Sequence, residues 1–533
     1  MSIGLHRIVL LCLILSLVVF AACVEFSDEA PAAQPSPSPH VAPLAAPPER
    51  TAPLIPGGTL RLAMRAPRTL NPLLNEDATV ARVLQLMFEP LIALDDELRP
   101  VPHLANLEFA FNGASVVVII REDALWSDGV PVTSDDLLFS LETLQNAPKE
   151  AVYRRFIENV THFERLGECS VRVYFGTISG GSAYMFAFPV IPRHHFSDEP
   201  NSLAPVSNGP FRFDSYNPAE SLRLVRNNNT FRRLPNIFEV YALITPDAET
   251  DRHAFDRGLV DIYLAAVPDW ARHHSVKPVH HAEFLAMHYD FIGFNHAREL
   301  PARLAFRQAV AYTLDAEGLI SDIFLTHAMP ARAAVHPASW LYEPDVPVFG
   351  YNIEMAMALA AQVRMGGLPT DEDGEKIPLT VLVSRENTEG QRIAQLLVRQ
   401  LNLIGLPAEL VSLPLDEYAA ALLDGDFDLF VGGYNLCFQP DLRFAFHSES
   451  PNNILSYSDP ELDRLLEAAA VAGTDSQLSR MLSDIQVHMG RQLPVISLAF
   501  RHSAVVADRG VAGELRPMPG NIFANVEEWF VVR

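Results

Sequence analysis

Leu125-Trp126-Ser127-Asp128-Gly129-Val130-Pro131-Val132-Thr133-Ser134-Asp135-Asp136 is a sharp bend followed at once by a helix start. Ser127-Asp128-Gly129 supplies the small and polar residues that a tight turn needs. Thr133, with an acid three residues later at Asp136, is a capping signature ahead of the apolar Leu137, Leu138 and Phe139. Upstream, the β-branched run Ser115 to Ile120 predicts a buried strand. Further out, Thr59 to Met64 alternates like a strand, and Thr79 to Glu89 has helical apolar spacing. Pro301 to Leu319 and Gln391 to Leu403 are amphipathic helices, and Phe427 to Gly432 is a short buried strand after a Gly-Asp turn. Strands interleaved with helices predict an α/β protein with largely parallel sheets. No internal repeat is present.

The chain has 533 residues, 49% hydrophobic and 20% charged, with a formal net charge of −25. Gly57 to Arg533 is too long for one hydrophobic core and predicts at least two lobes. Without a cluster of Lys and Arg, so acidic a chain is excluded as a nucleic-acid binder. After Cys23 the cysteines are Cys169 and Cys437, too few and too far apart for a disulfide framework, and the sequence leaves open whether they are bridged.

The N-terminus reads as a targeting segment. Arg7 gives a positive start, Ile8 to Phe20 an apolar run, and Ala21-Ala22 the small residues before a cleavage site. The run is shorter than the about 20 residues that span a bilayer. Cys23 then marks a bacterial lipoprotein signal, with residues 1–22 removed and the Cys23 thiol acylated. Residues 23–56, with nine prolines from Pro31 onward, cannot bury a core and read as an extended tether. The expected location is extracytoplasmic and lipid-anchored.

Gly57-Gly58-Thr59-Leu60-Arg61-Leu62, Thr69-Leu70-Asn71-Pro72 and Phe88-Glu89-Pro90-Leu91, followed by Leu125 to Asp136, resemble the family 5 extracellular solute-binding proteins. These are the oligopeptide, dipeptide and nickel receptors of ABC importers. Asn208-Gly209-Pro210-Phe211, Arg226-Asn227, Gly258-Leu259-Val260-Asp261, Gly293-Phe294-Asn295, Arg307-Gln308-Ala309-Val310-Ala311 and Gly425-Asp426-Phe427-Asp428 continue the resemblance in the family's order. It implies a two-lobed periplasmic-binding-protein fold that traps solute as the lobes close on a hinge. The matching positions put the first lobe at 57–294, with an extra subdomain at about 88–205, the second lobe at 295–493 and a return at 494–533. Phe291 to Phe294 and Val495 to Leu498 are then the hinge segments.

Most matched residues read as scaffold. Trp126 belongs to the bend, Gly209-Pro210 to a turn with a special backbone angle, and Arg307 to an ion pair on its helix. The resemblance places solute contacts in the loop Arg65 to Thr69, at Tyr153, along Tyr434-Asn435-Leu436-Cys437, and at Asn453. Arg65 and Arg68 could form a fork for a carboxylate or phosphate, or simply face water. Peptide receptors of this family carry an aspartate where Cys437 stands, pairing with the peptide's α-ammonium. A neutral thiol cannot do so, which leaves Asp441 as the other acid in reach along the sequence.

The pairs His194-His195, His273-His274 and His280-His281 are adjacent rather than i, i+4, and predict surface histidines and no bound metal. No cofactor is expected. A secreted hydrolase is the alternative from another class, but Gly-x-Ser-x-Gly and His-Glu-x-x-His do not occur, and Ser182 in Gly180-Gly181-Ser182-Ala183 reads as a turn. A sensor of the same fold is a third reading. The reading that the resemblance favours is a monomeric, non-enzymatic receptor that delivers a peptide or peptide-like solute to ABC permease subunits.

Overall fold

The alternation of Thr59–Met64 produces the expected strand, β1, with Leu60, Leu62 and Met64 buried. This computed structural model describes residues 58–110, 115–176, 181–266, 279–370 and 372–532. Cys23, the tether and His273-His274 lie outside the described residues. After β1 comes α1 (Ala78–Leu84), capped by Asp77, whose Oδ1 accepts from the backbone N–H groups of Thr79 and Val80. There follow β2 (Ala105–Phe109), β3 (Ser115–Ile120), α2 (Ser134–Asn146), β4 (Val160–Arg165) and β5 (Ser170–Phe175). Then come β6 (Phe211–Asn217), β7 (Ser221–Arg226), β8 (Glu239–Ile244), α3 (Ala248–Asp256) and β9 (Ile262–Ala266). One sheet has the order β1-β8-β7-β6, with β1 parallel to β8 and the other pairs antiparallel. A second, β2-β3-β5-β4, is antiparallel throughout. Leu60, Met64, Val118, Trp126, Leu137, Val173, Leu224 and Val240 belong to one apolar cluster beneath them.

Next in the chain are β10 (Val279–Phe294), α4 (Leu304–Ala311), α5 (Ile353–Met365), β11 (Leu379–Ser384) and α6 (Thr388–Leu403). They are followed by β12 (Ala408–Leu413), α7 (Leu415–Asp424), β13 (Leu429–Asn435) and β14 (Val495–Asp508). The sheet order is β9-β14-β10-β13-β11-β12, in which β9 pairs antiparallel with β14 and β11 runs parallel to both β12 and β13. The expectation of largely parallel sheets is therefore corrected. Helical crossovers, which parallel pairing requires, separate β11, β12 and β13, whereas β4 and β5, or β6 and β7, are joined by short turns that return the chain antiparallel.

The chain divides into two compact units. The N-terminal unit comprises the described residues up to Phe284, Gly473–Asp475 and those from Ser503 onward; the central unit comprises Leu285–Ala472 and Ser476–His502. The division thus falls inside β10 and β14.

The matched sequence motifs are scaffold because they bind one another. Asp136, 4% exposed, forms the capping box with Thr133 and also accepts from Trp126 Nε1 at 3.2 Å and from the Arg193 backbone N–H at 2.8 Å. One carboxylate thereby fixes the bend, the helix start and a distant loop. Asp261 pairs with Arg61, accepting from its backbone N–H at 2.8 Å and its Nη2 at 2.5 Å. Asn227 Nδ2 donates to the Gly209 carbonyl, and Asn208 Oδ1 accepts from Glu89 N–H. Gly209 is required by close approach rather than by a special angle, since a Cβ there would lie 2.6 Å from the Met87 carbonyl carbon. In the central unit, Asn295 Nδ2 donates to the carbonyls of Gly425 and Phe427, and Gly425 closes α7 at φ +70°. Arg307 is not in an ion pair among the described residues. It is 4% exposed and donates to the carbonyls of Pro301, Ala302 and Gln492, satisfying backbone that would otherwise be buried unpaired.

Within the central unit, Asp290 of β10 and Arg501 of β14 form a two-point ion pair, with Nε to Oδ2 at 2.7 Å and Nη2 to Oδ1 at 2.6 Å. Asp290 is 1% exposed. Burial works to raise its pKa, but hydrogen bonds and charge from Arg501 outweigh it and hold the carboxyl below its ordinary range.

Arg501→Leu strands a buried carboxylate and is expected to cost about 3–5 kcal/mol in denaturant unfolding, with Asp290→Asn in the same chain restoring part of it; an unchanged unfolding midpoint for the single variant would refute the pair's structural role. His336 is 3% exposed, and burial, only partly offset by its hydrogen bond to the Leu285 carbonyl, lowers its pKa to about 4; His296 is lowered to about 4 by burial in the same way. Below about pH 6.5 the unfolded chain takes up protons that the folded imidazoles refuse. Their contribution is therefore full above about pH 6.5 and is lost as pH falls toward 4, roughly 3 kcal/mol for His336. His336→Leu should flatten the pH dependence of the unfolding midpoint across this window, and parallel curves for the two proteins would refute the assignment.

Candidate functional site

In the central unit the segment expected to meet solute begins where β13 ends. β13 lies antiparallel to β10 with Asn435 opposite His288 and Tyr434 opposite Tyr289. Gly433, opposite Asp290, is needed because a Cβ would meet the Tyr289 carbonyl oxygen at 2.8 Å and His288 Nε2 at 2.9 Å. Strand alternation then sends Tyr434 and Asn435 to opposite faces. Tyr434 is 6% exposed, its ring 4.8 Å from Phe291 and 5.2 Å from Phe444, and burial pushes its phenol pKa up. The expected stacking platform for solute is thus a core aromatic. Asn435 is exposed, with Oδ1 2.9 Å from His288 Nδ1.

Beyond the strand, Cys437 is half-buried. Neither Cys169 nor Cys437 is in a disulfide among the described residues. Asp441, the alternative acid, accepts from Arg443 through its backbone N–H at 3.0 Å and Nε at 2.9 Å, with a further bond from Nη2. Asn453 is used within its own loop: Nδ2 donates to the carbonyls of His447 and Tyr457, and Oδ1 accepts from Tyr457 N–H. Its polar groups are thereby occupied by backbone.

Behind Asn435 lies a charged cluster that the sequence reading missed. His288 Nε2 is 3.5 Å from Asp290, and Arg501 extends from Asp290 to Glu389 Oε2 at 3.4 Å, near the start of α6. Glu389 Oε1 is buried without a partner among the described residues. The signal was present in the sequence, since Asp290 and Arg501 each interrupt an apolar strand. A charge there demands a partner from another strand.

In the N-terminal unit the expected fork of Arg65 and Arg68 is divided. Arg65 donates to both oxygens of Asp251 at 2.9 and 3.0 Å and to Thr245 Oγ1 at 2.7 Å, a local tie to α3. Its hydrogen bond with Asp251, working against burial, raises its pKa further. Arg68 is exposed and makes no ion pair with the described residues. Thr69 and Leu70 are buried, and Leu70 N–H donates to the Ser202 carbonyl, so the loop is held at its far end. Tyr153 is half-buried beside Phe156, with ring centroids 5.9 Å apart, and burial pushes its phenol up to about 12.

Among the described residues the histidines do not gather. His194 Nε2 lies 2.8 Å from Asp128, and His195 Nε2 lies 3.1 Å from Ser202 Oγ. Among the described residues no group of three or more His, Cys, Asp or Glu could hold a metal ion, and no helix is long and apolar enough to cross a membrane. Ser182 is buried and opens a 3₁₀ turn, Ser182–Phe186.

The oligopeptide-binding protein AppA of Bacillus subtilis is 23% identical over 494 residues, which cover 88% of this chain and 90% of AppA. The solved structure of AppA in complex with a nonapeptide superposes with a TM-score of 0.65 at 22% identity, covering 90% of this chain and 99% of AppA. The ABC transporter substrate binding protein CtaP of Listeria monocytogenes has a TM-score of 0.77 at 22% identity, covering 90% and 100%. PBP AgaA from A. tumefaciens R10, in complex with agropinic acid, has a TM-score of 0.63 at 20% identity, covering 89% and 99%. These likenesses show a two-lobed periplasmic-binding-protein fold of mixed α and β structure. The model of the bacterial extracellular solute-binding proteins, family 5, matches residues 99–454, and the chain belongs to that family.

Proposed function

We propose that this protein is the lipid-anchored receptor of an ABC importer, capturing a peptide or peptide-like solute between two closing lobes and delivering it unaltered to membrane permease subunits. Binding of a nonapeptide by AppA supports the peptide class, and the family supports a binding protein rather than an enzyme. The proposed hinge is the pair β10 and β14, the strands in which the division of the chain falls. The N-terminal unit would offer Arg68 and Tyr153, and the central unit Asn435 and Cys437.

The observation that carries the cargo reading is the engagement by Arg443 of Asp441, the alternative acid along the sequence. By the resemblance, the Cys437 thiol stands where peptide receptors of the family place an aspartate, and it carries no carboxylate to replace it. An ammonium buried there without a partner would cost several kcal/mol. The solute we propose therefore presents no free ammonium at this end, as in an N-blocked peptide or an opine-like molecule. Neutral hydrogen bonds from groups such as Asn435 contribute about 0.5–1.5 kcal/mol each, so affinity is spread over several contacts.

Calorimetric titration of the full chain with a nonapeptide and its N-acetylated form tests this. The acetylated peptide is expected to bind at least as tightly, and Cys437→Asp to reverse the preference. Binding of the unmodified peptide that acetylation abolishes in the natural chain would refute the cargo reading while leaving the receptor reading intact. For the anchor, Cys23→Ala is expected to move the protein from the membrane to the soluble fraction; a variant still pelleting with membranes would sink that part of the proposal.

A further inference from the structure

β10 and β13 pair with Asn435 opposite His288 and Gly433 opposite Asp290, which sets all four residues on one face of the central unit's sheet. A side chain at Gly433 would start 2.9 Å from His288 Nε2 and 3.2 Å from its Cε1, so the glycine leaves the space in which the imidazole lies between Asp290 and Asn435. Nε2 is 3.5 Å from Asp290 Oδ1, and Nδ1 is 2.9 Å from Asn435 Oδ1. The carboxylate is itself held at two points by Arg501, and the ring thus stands between two acceptors. A carbonyl oxygen cannot donate, so the shorter contact places a proton on Nδ1, and His288 donates to Asn435.

That bond decides which end of the Asn435 amide faces outward. Asn435 is exposed, and its Nδ2 makes no hydrogen bond with the described residues. An unrestrained asparagine turns over about its last torsion at little cost and offers a donor or an acceptor as its partner requires. Here turning over would set the NH2 group against Nδ1–H, donor to donor, and break the 2.9 Å contact. The amide therefore turns two N–H donors outward. We infer that His288 is a positioning residue: it fixes the Asn435 amide with its NH2 toward the solute, so that this end selects a hydrogen-bond acceptor, in the solute proposed above the carbonyl oxygen of the blocking acyl group. This rests on the reading of Asn435 as a solute contact and adds the direction of that contact. A free ammonium carries donors only and would meet donors, which disfavours it for a reason separate from Cys437.

The full chain is titrated calorimetrically with an N-acetyl nonapeptide and with the same peptide whose amino group is replaced by hydrogen. The acetyl form is expected to bind about two- to tenfold more tightly, the effect of one neutral hydrogen bond. His288→Gln keeps a polar group toward Asp290 but none in the place of Nδ1, and should erase that preference; His288→Asn, whose amide nitrogen takes the place of Nδ1, should keep it. Asn435→Asp keeps the contact with His288 but turns an acceptor outward, and should reverse the preference, which decides the matter if His288→Gln does not fold. Equal affinities in the natural chain, or a preference surviving in His288→Gln or in Asn435→Asp, would overturn the inference. Should neither peptide bind, the solute reading falls, and the positioning is read from the full chain labelled with ¹⁵N-asparagine. The Nδ2 resonance that Asn435→Ala removes is expected to shift in His288→Gln and to stay near its natural position in His288→Asn. An unmoved resonance in His288→Gln refutes the positioning.

Discussion

The two-point pairing of Asp290 with Arg501 is the constraint around which the central unit is arranged. It ties β10 to β14 through side chains as well as by their adjacency in the sheet. Two charges removed from water gain little net stability even in good geometry, and an apolar pair of similar volume would hold the strands about as well. What the ion pair adds is direction. The guanidinium fork fits its carboxylate at two points, fixing both side chains and therefore what stands on either side of them. Glu389 and Asn387 at the start of α6 face Arg501, while His288 leans on Asp290 and carries Asn435 on its other nitrogen. The orientation of an exposed asparagine is thus settled by a buried pair.

Much of the scaffold was legible in the sequence because its signals are local. The capping box at Thr133 and Asp136 needs three residues' spacing, and the strand of Thr59–Met64 only an alternation. What was not legible is what those residues do at long range. Asp136 reads as a helix cap, yet its carboxylate also holds the Trp126 indole and the backbone at Arg193, 57 residues on. Gly209 reads as a turn, yet it is there because the Met87 backbone passes too close for a Cβ. Arg307 reads as an ion-pair partner on an amphipathic helix, and only the fold shows three carbonyls converging on it. Sequence spacing carries no record of which chain segment will pass by.

The candidate site was less legible for the same reason. A resemblance carries over positions, and a position does not say which neighbour has already taken a side chain. Arg65 sits in the expected loop, but Asp251 on α3 has claimed its guanidinium. Tyr434 sits on the expected segment, but strand alternation turns its ring to Phe291 and Phe444. Arg68 and Asn435, by contrast, remain exposed. Asp290, Glu389 and Arg501 escaped notice because an acid or base within an apolar run has meaning only once its partner strand is known.

The matched charges bear on what the family's fold can be used for. The motifs that mark membership are those that bind one another: Arg61 with Asp261, Asn227 with Gly209, Asn295 with the turn at Gly425. Because their polar groups are spent internally, they hold the framework and contribute little to choosing a solute. Under the proposed function, selection falls to side chains that the framework leaves uncommitted, and Asp441, held by Arg443, is not one of them. A net charge of −25 is consistent with this, since most of that charge faces water, where a Debye length of about 8 Å limits its reach into a pocket. Recognition of a cation by this chain would need an acid within direct hydrogen-bonding distance. Asp290, which His288 links to Asn435, and Asp441 are held by Arg501 and Arg443, so under the proposed function a neutral end of the solute meets the lower desolvation cost.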